Sequence, residues 1–156
     1  MATLVPKNPK LVSSATALVK RRIPCAGSVT WKAGEFGVAA SGLVTPIASN
    51  AVNIQYMFLE DQDSSSVAEA MVYVLVLDVG QIYEGFELDG TLANANIGED
   101  YGVDVTSNIF TVDVGDTSNK AIKIVNIAST YEPSRNVTAD VKARCQFRFL
   151  STVVNA

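Results

Sequence analysis

The residues that could perform chemistry in this chain are mainly carboxylates. The 156 residues include 16 acids and two cysteines but no histidine, so the commonest general base and triad member is missing. Two carboxylates could hydrolyse a glycosidic bond, but fourteen acids lie between Lys32 and Lys120 and no pair among them stands out. We therefore expect no enzymatic activity.

Metal and cofactor motifs are also weak. Asp61 to Ser65 has the opening spacing of a calcium loop, but Ser66 replaces the turn glycine and Val72 occupies the position of the bidentate glutamate. Gly34 to Gly37 is not followed by the Lys-Ser of a phosphate-binding loop. We interpret the first segment as a solvated acidic loop, and we expect neither a metal nor another cofactor.

Charge is sorted along the chain. The first 34 residues contain six cations and no acid, whereas the fourteen acids of the middle segment have no cation among them. A basic segment on an acidic body favours docking onto another surface, because complementary potentials steer the encounter. The alternative is that these cations pair with the carboxylates of the same chain. The predicted docking residues are Lys7, Lys10, Lys20, Arg21 and Arg22.

The elements that must position these residues are short strands. Val141, Ala143, Cys145, Phe147 and Phe149 alternate with polar residues, which predicts a half-buried strand with Cys145 facing inward as a reduced thiol. Met71 to Leu77 is apolar on both faces, which predicts a central strand covered on both sides. The other predicted strands are Val29 to Lys32, Val52 to Leu59, Gln81 to Glu87, Tyr101 to Val105, Ile109 to Val114 and Ala121 to Ile127.

Turn signals separate these strands at intervals of about 8 to 12 residues, which is typical of an all-β sandwich or small barrel of short antiparallel strands. Residues 1–24 are predicted to form an extended basic N-terminal docking arm, because Pro6 and Pro9 disfavour a regular ladder. Residues 25–156 would form the β body, with a possible seam near residues 89–96. The first strand is expected to begin at Val29. No apolar stretch reaches the roughly 18 residues of a membrane span, so we expect no membrane contact.

Several segments resemble the capsid decoration, or cement, proteins of tailed phages. In such proteins a small β-rich body follows an arm that docks on the head, and a final basic strand ends the body. The segments that carry the resemblance are Val74 to Glu87, Gly98 to Asp104, Phe110 to Asp113, Asp116 to Ser118, Lys123 to Val125 and Arg144 to Phe149. They are packing patterns, and no motif in residues 1–22 matches.

The resemblance implies a structural protein of the virion that sits on the capsid surface. Its partner would be the major capsid protein, and it would act as a homo-oligomer, with a trimer favoured, that cements neighbouring capsid subunits after head expansion. The acidic body is not expected to bind nucleic acid. Two other functions remain open: a host-recognition or adhesin-type module of a virion, with the acidic loop as its tip, and a self-assembling minor coat subunit.

Overall fold

The fold is an all-β sandwich of two antiparallel sheets, as the turn spacing predicts. The computed structural model describes residues 5–132 and 139–154. Within these ranges the strands are β1 Lys10–Ser14, β2 Lys20–Pro24, β3 Phe36–Ala40, β4 Leu43–Pro46, β5 Tyr56–Phe58, β6 Met71–Val76, β7 Gln81–Phe86, β8 Asp100–Thr106, β9 Ile109–Asp113, β10 Ile122–Ile127 and β11 Arg144–Phe149. The helical elements there are short: α1 Ala128–Tyr131, α2 Ala139–Ala143, α3 Ser151–Val154 and a 3-10 turn at Asn94–Asn96.

The two sheets divide the chain unevenly. Sheet A has the order β1-β7-β11-β10-β8-β9, and sheet B has the order β2-β6-β5-β3-β4. The chain changes sheets between β1 and β2 and again between β6 and β7. The predicted seam at 89–96 therefore does not separate the sheets, because it joins β7 and β8, which both belong to sheet A.

Both sheets curl, so that β7 approaches β9 in sheet A and β2 approaches β4 in sheet B. In sheet A, the Leu88 N–H donates to the Val112 carbonyl at 2.8 Å, which brings the end of β7 against β9. In sheet B, the Ala26 N–H donates to the Val44 carbonyl at 2.9 Å, which brings the end of β2 against β4. Curling of this kind shortens the open edges that could otherwise pair with other chains.

The side chain of Asn8 closes the remaining gap in sheet A. Its Nδ2 donates to the Asn108 carbonyl at 2.9 Å, and its Oδ1 accepts from the Phe110 N–H at 2.8 Å. The segment just before β1 is thereby held against β9, while β1 itself pairs with β7. The N-terminal segment thus lies between β7 and β9 and completes the ring of sheet A strands.

Two apolar clusters stabilise this arrangement. The larger lies between the sheets, where Phe36 of sheet B inserts among the rings of Tyr83, Phe110 and Phe149 at centroid distances of 5.4, 4.7 and 4.8 Å. The smaller lies on the other face of sheet B, where Trp31 stacks on Phe58 at 4.5 Å. Sheet B is therefore covered on both faces.

The N-terminal segment requires a correction. The first strand begins at Lys10 and not at Val29, because β1 pairs with β7 and β2 pairs with β6. Leu11 packs against the larger cluster and Ile23 against the smaller one. Residues 10–14 and 20–24 are strands that belong to the two sheets.

Four other strand predictions change in detail. The strand predicted at Val52 to Leu59 is present only as β5, Tyr56–Phe58. Residues 140–143, predicted as the beginning of the final strand, belong to α2, although Val141 and Ala143 are buried as expected. Residues 29–32 make only an isolated bridge at Trp31. In β6, Val74 and Leu75 are buried on opposite faces, which confirms double coverage for that half, but the beginning of the strand is exposed.

Candidate docking surface on the basic edge strand

The five predicted docking residues divide between the two sheets. Lys7 is exposed ahead of β1, and Lys10 begins β1 at the edge of sheet A. The adjacent cations Lys20, Arg21 and Arg22 are exposed on β2, at the edge of sheet B. The structure therefore places three of the five together and assigns Lys10 to a different environment.

The Lys10 ammonium is paired within the chain. It lies 3.4 Å from the Glu84 carboxylate, whose side chain is only 13% exposed. The same carboxylate lies 3.5 Å from the Arg144 guanidinium and accepts a hydrogen bond from the Tyr131 hydroxyl at 3.1 Å. For Lys10 the alternative interpretation, pairing with an acid of the body, is the one that the geometry supports.

The cations of β2 are placed differently. Among the described residues, Lys20 and Arg21 form no ion pair, and the Arg22 guanidinium lies 5.2 Å from the centre of the Tyr73 ring. Register sets Lys20 and Arg22 opposite Leu75 and Tyr73, so these side chains share one face of sheet B. A guanidinium over an aromatic face is held in place without losing its charge.

Exposed apolar side chains accompany these cations. Met71 and Tyr73 are 48% and 46% exposed, although they share a face of β6 with Leu75 and Leu77 of the larger cluster. Sheet A does not extend over this end of sheet B, so the face is open there. We call Lys20, Arg22, Met71 and Tyr73, together with Arg21 on the opposite face of the same edge strand, the β2 ledge. Aromatic residues, methionine and arginine are the types enriched at protein interfaces.

The backbone of β2 adds hydrogen-bonding capacity to the ledge. This strand is first in the order of sheet B, so within the described ranges one of its edges has no strand neighbour until Cys25 approaches Val44. An open edge can accept an additional strand from another chain through main-chain hydrogen bonds. The sequence could not reveal this edge, because three adjacent cations show no alternation with a period of two.

The acidic loop makes its contacts within the chain. Lys32 forms an ion pair with Asp63, and the Asp61 carboxylate accepts a hydrogen bond from the Ala33 N–H at 2.7 Å. In the part of the chain that the structure describes, no cluster of three or more histidine, cysteine, aspartate or glutamate side chains could hold a metal ion. Both cysteines are buried as free thiols, as predicted for Cys145, and burial raises the pKa of the Cys145 thiol.

Two carboxylates are buried away from the ledge. Glu35 is 1% exposed and accepts a hydrogen bond from the Lys32 N–H at 3.1 Å, and burial raises its pKa to about 7. Glu87 is fully buried beside the closure of sheet A, and burial raises its pKa as well. Among the described residues, its Oε2 accepts from the Thr91 N–H at 3.1 Å and its Oε1 has no hydrogen-bond partner.

Burial of Glu35 predicts a pH-dependent stability. The folded state keeps the proton up to about pH 7, whereas the unfolded chain releases it near 4.5. The folded state binds more protons in this window, so the free energy of unfolding should fall as pH rises through it. The loss should approach about 3 kcal/mol above pH 7, since each pKa unit corresponds to about 1.36 kcal/mol.

The substitution Glu35→Gln isolates this effect, because the amide oxygen can still accept from the Lys32 N–H. We expect Glu35→Gln to be more stable than the unmodified protein at pH 8 and nearly equal at pH 4.5, in urea unfolding at both values. The exposed Glu99→Gln serves as the control and should show no such difference. Equal effects of Glu35→Gln at both pH values would contradict the prediction.

Comparison with known proteins identifies no family for this chain. No protein-family model, curated protein or solved structure matches the chain. Within the described ranges, none of the helices has the length and apolar character needed to cross a bilayer.

Proposed function

We propose that this protein is a structural component of a phage virion that binds the outer surface of the capsid. It attaches to the major capsid protein, cements neighbouring subunits and stabilises the expanded head, and it acts without catalysis or a cofactor. The observation that carries the proposal is the β2 ledge, where three adjacent cations and an exposed tyrosine lie beside an open strand edge.

Each part of the ledge suits attachment to a large acidic surface. The exposed charges of Lys20 and Arg21 have no ion-pair partner among the described residues, so docking need not break an internal ion pair. The exposed side chains of Tyr73 and Met71 supply apolar surface that is removed from water on binding. A ligand that binds only the assembled shell stabilises it by mass action, and several copies in one oligomer, with a trimer favoured, add avidity.

The cationic part of the ledge can be tested by charge reversal. We expect the double substitution Lys20→Glu and Arg21→Glu to weaken binding to undecorated phage heads by at least about tenfold at low salt, through loss of steering and attraction. The difference in affinity between this variant and the unmodified protein should shrink as salt rises, since exposed charges more than about 8 Å apart are largely screened at physiological ionic strength. Co-sedimentation with purified heads measures both effects.

The matched control is the double substitution Lys120→Glu and Lys142→Glu, which changes net charge equally at exposed positions away from β2. It should bind heads nearly as well as the unmodified protein. If both pairs weaken binding equally, net charge and not the ledge is responsible. Full binding by the Lys20→Glu, Arg21→Glu protein would refute attachment through β2.

A further inference from the structure

A second apolar surface lies on the outer face of sheet A. It is a groove of about 400 Å³ that crosses β7, β11 and β10 next to the turn between β6 and β7. Its apolar walls come from Val79, Ile82, Ile97 and Val125. Val125 is the extra residue of a β-bulge, since Ile124 pairs with Phe147 and Asn126 with Gln146. Bulges re-aim side chains and are common next to functional sites.

One cation at this groove is available to a ligand. Lys123 is engaged by Asp100 at 2.7 Å and by the Gly98 carbonyl at 2.8 Å. Arg148 is exposed on β11 and forms no ion pair within the described ranges. An apolar groove with one unpaired guanidinium fits an apolar side chain accompanied by a carboxylate.

The loop before β6 carries such a combination. Val67 is 75% exposed, the highest value among the large apolar side chains of the described chain. Two residues later, Glu69 is exposed and forms no ion pair with any described residue. Its φ of 67° and its N–H bond to the Cys25 carbonyl at 2.8 Å fix the loop in a tight turn. Val67 and Glu69 therefore form a preorganised projection.

The groove and the projection lie at opposite ends of β6. The Val67 loop precedes the first residue of this strand, and Val79 follows its last residue. Six extended residues span about 20 Å, so the two features lie about that far apart along the strand. The projection cannot reach the groove of its own molecule.

We propose that the Val67–Glu69 projection of one copy docks in the groove of a second copy, with the Glu69 carboxylate on the Arg148 guanidinium. A second copy is the occupant because this chain presents both complementary halves, and because neither charge has a partner within the described molecule. Contacts between two different patches are head-to-tail, and they generate a ring when the rotation closes. The inference deepens the oligomeric part of the proposed function and is independent of attachment through the β2 ledge.

Sedimentation velocity on the full chain tests the proposal. The unmodified protein should associate reversibly between about 1 and about 100 μM, the range expected of a moderate interface. Arg148→Glu and Glu69→Arg should each raise the dissociation constant at least about tenfold, because each places like charges together. Combining the two should restore association to within about threefold of the unmodified protein. Val67→Ser should weaken association without any change of charge.

The controls are Lys142→Glu and Glu60→Arg, which reverse exposed charges outside the groove and the projection. Both should associate normally, and thermal melts of all variants should coincide. A protein that stays monomeric throughout the range, single reversals without effect, or a double reversal that fails to restore association would each overturn the proposal. An unmodified protein that stays monomeric yet binds heads would overturn this inference and leave the proposed function standing, whereas one that associates as expected but does not bind heads would overturn the proposed function alone.

Discussion

A protein that lacks residues 1–22 should lose its cooperative unfolding transition. The deletion removes β1, most of β2 and the Asn8 side chain that holds the segment against β9. It uncovers one edge in each sheet and exposes apolar surface around Tyr83 and Val74. Folded domains are stable by only about 5 to 15 kcal/mol, so the loss of two strands of eleven should exceed what the remainder can tolerate.

The fluorescence of Trp31 reports this transition, because it is the only tryptophan and is stacked on Phe58 in the smaller cluster. Urea titration of the full chain should give one sharp transition, and the truncated chain should give a broad one or none. A truncated protein with the midpoint of the full chain would show that the N-terminal strands are dispensable. Such a result would restore the interpretation of residues 1–24 as a separate arm.

A graded version of the same experiment uses Asn8→Ala. The hydrogen bonds of the Asn8 side chain to the Asn108 carbonyl, in the turn before β9, and to the Phe110 N–H of β9 would be lost, at a cost of about 1 to 3 kcal/mol for the unsatisfied groups. Asn94→Ala is the control, since its exposed side chain makes no hydrogen bond with the described residues, and it should change stability by less than about 0.5 kcal/mol. Equal effects would show that Asn8 does not close the ring.

The second large effect is expected from Phe36→Ala. This ring crosses from sheet B into the aromatic cluster of sheet A and is fully buried. Removing it leaves a cavity between the sheets, and truncation of a buried phenylalanine costs about 3 to 5 kcal/mol. Tyr73→Ala, at an exposed position on β6 of the same sheet, should cost far less stability. A loss below about 1 kcal/mol for Phe36→Ala would mean that the sheets do not depend on this contact.

The strands with clear alternation could be predicted from sequence. The segments that became β7 to β10 were placed correctly, and the Ser107-Asn108 turn signal was confirmed as a two-residue hairpin connection with φ of 51° and 62°. The prediction of α2 as strand was wrong because Val141 and Ala143 are buried two residues apart, a spacing that fits a strand. In α2, therefore, the spacing of the buried side chains alone could not distinguish a helix from a strand.

The missed strands lacked the expected composition. In β3, Gly37 and two alanines replace the bulky residues typical of strands, because Gly37 lies where a Cβ would come within 2.9 Å of the Phe58 ring. Three adjacent cations obscure the two-residue alternation of β2. Charged side chains suit an edge strand, because they discourage unwanted pairing. The cations of the β2 ledge could be identified from the sequence. The exposure of Met71 and Tyr73 could not, because it depends on where sheet A ends.

The order of strands in sheet A also constrains how the chain is synthesised. The neighbours of β11 are β7 and β10, so this strand, which follows both of them in the chain, belongs in the interior of the sheet. β1 must also wait for its partner, because β7 begins some seventy residues later in the chain. Pairing between such distant segments is slow, and unpaired strands are prone to aggregate while they wait. Sheet A is therefore completed only once β11 has left the ribosome, and a chain that stalls or is truncated before β11 exposes the aromatic side chains that this strand would have covered.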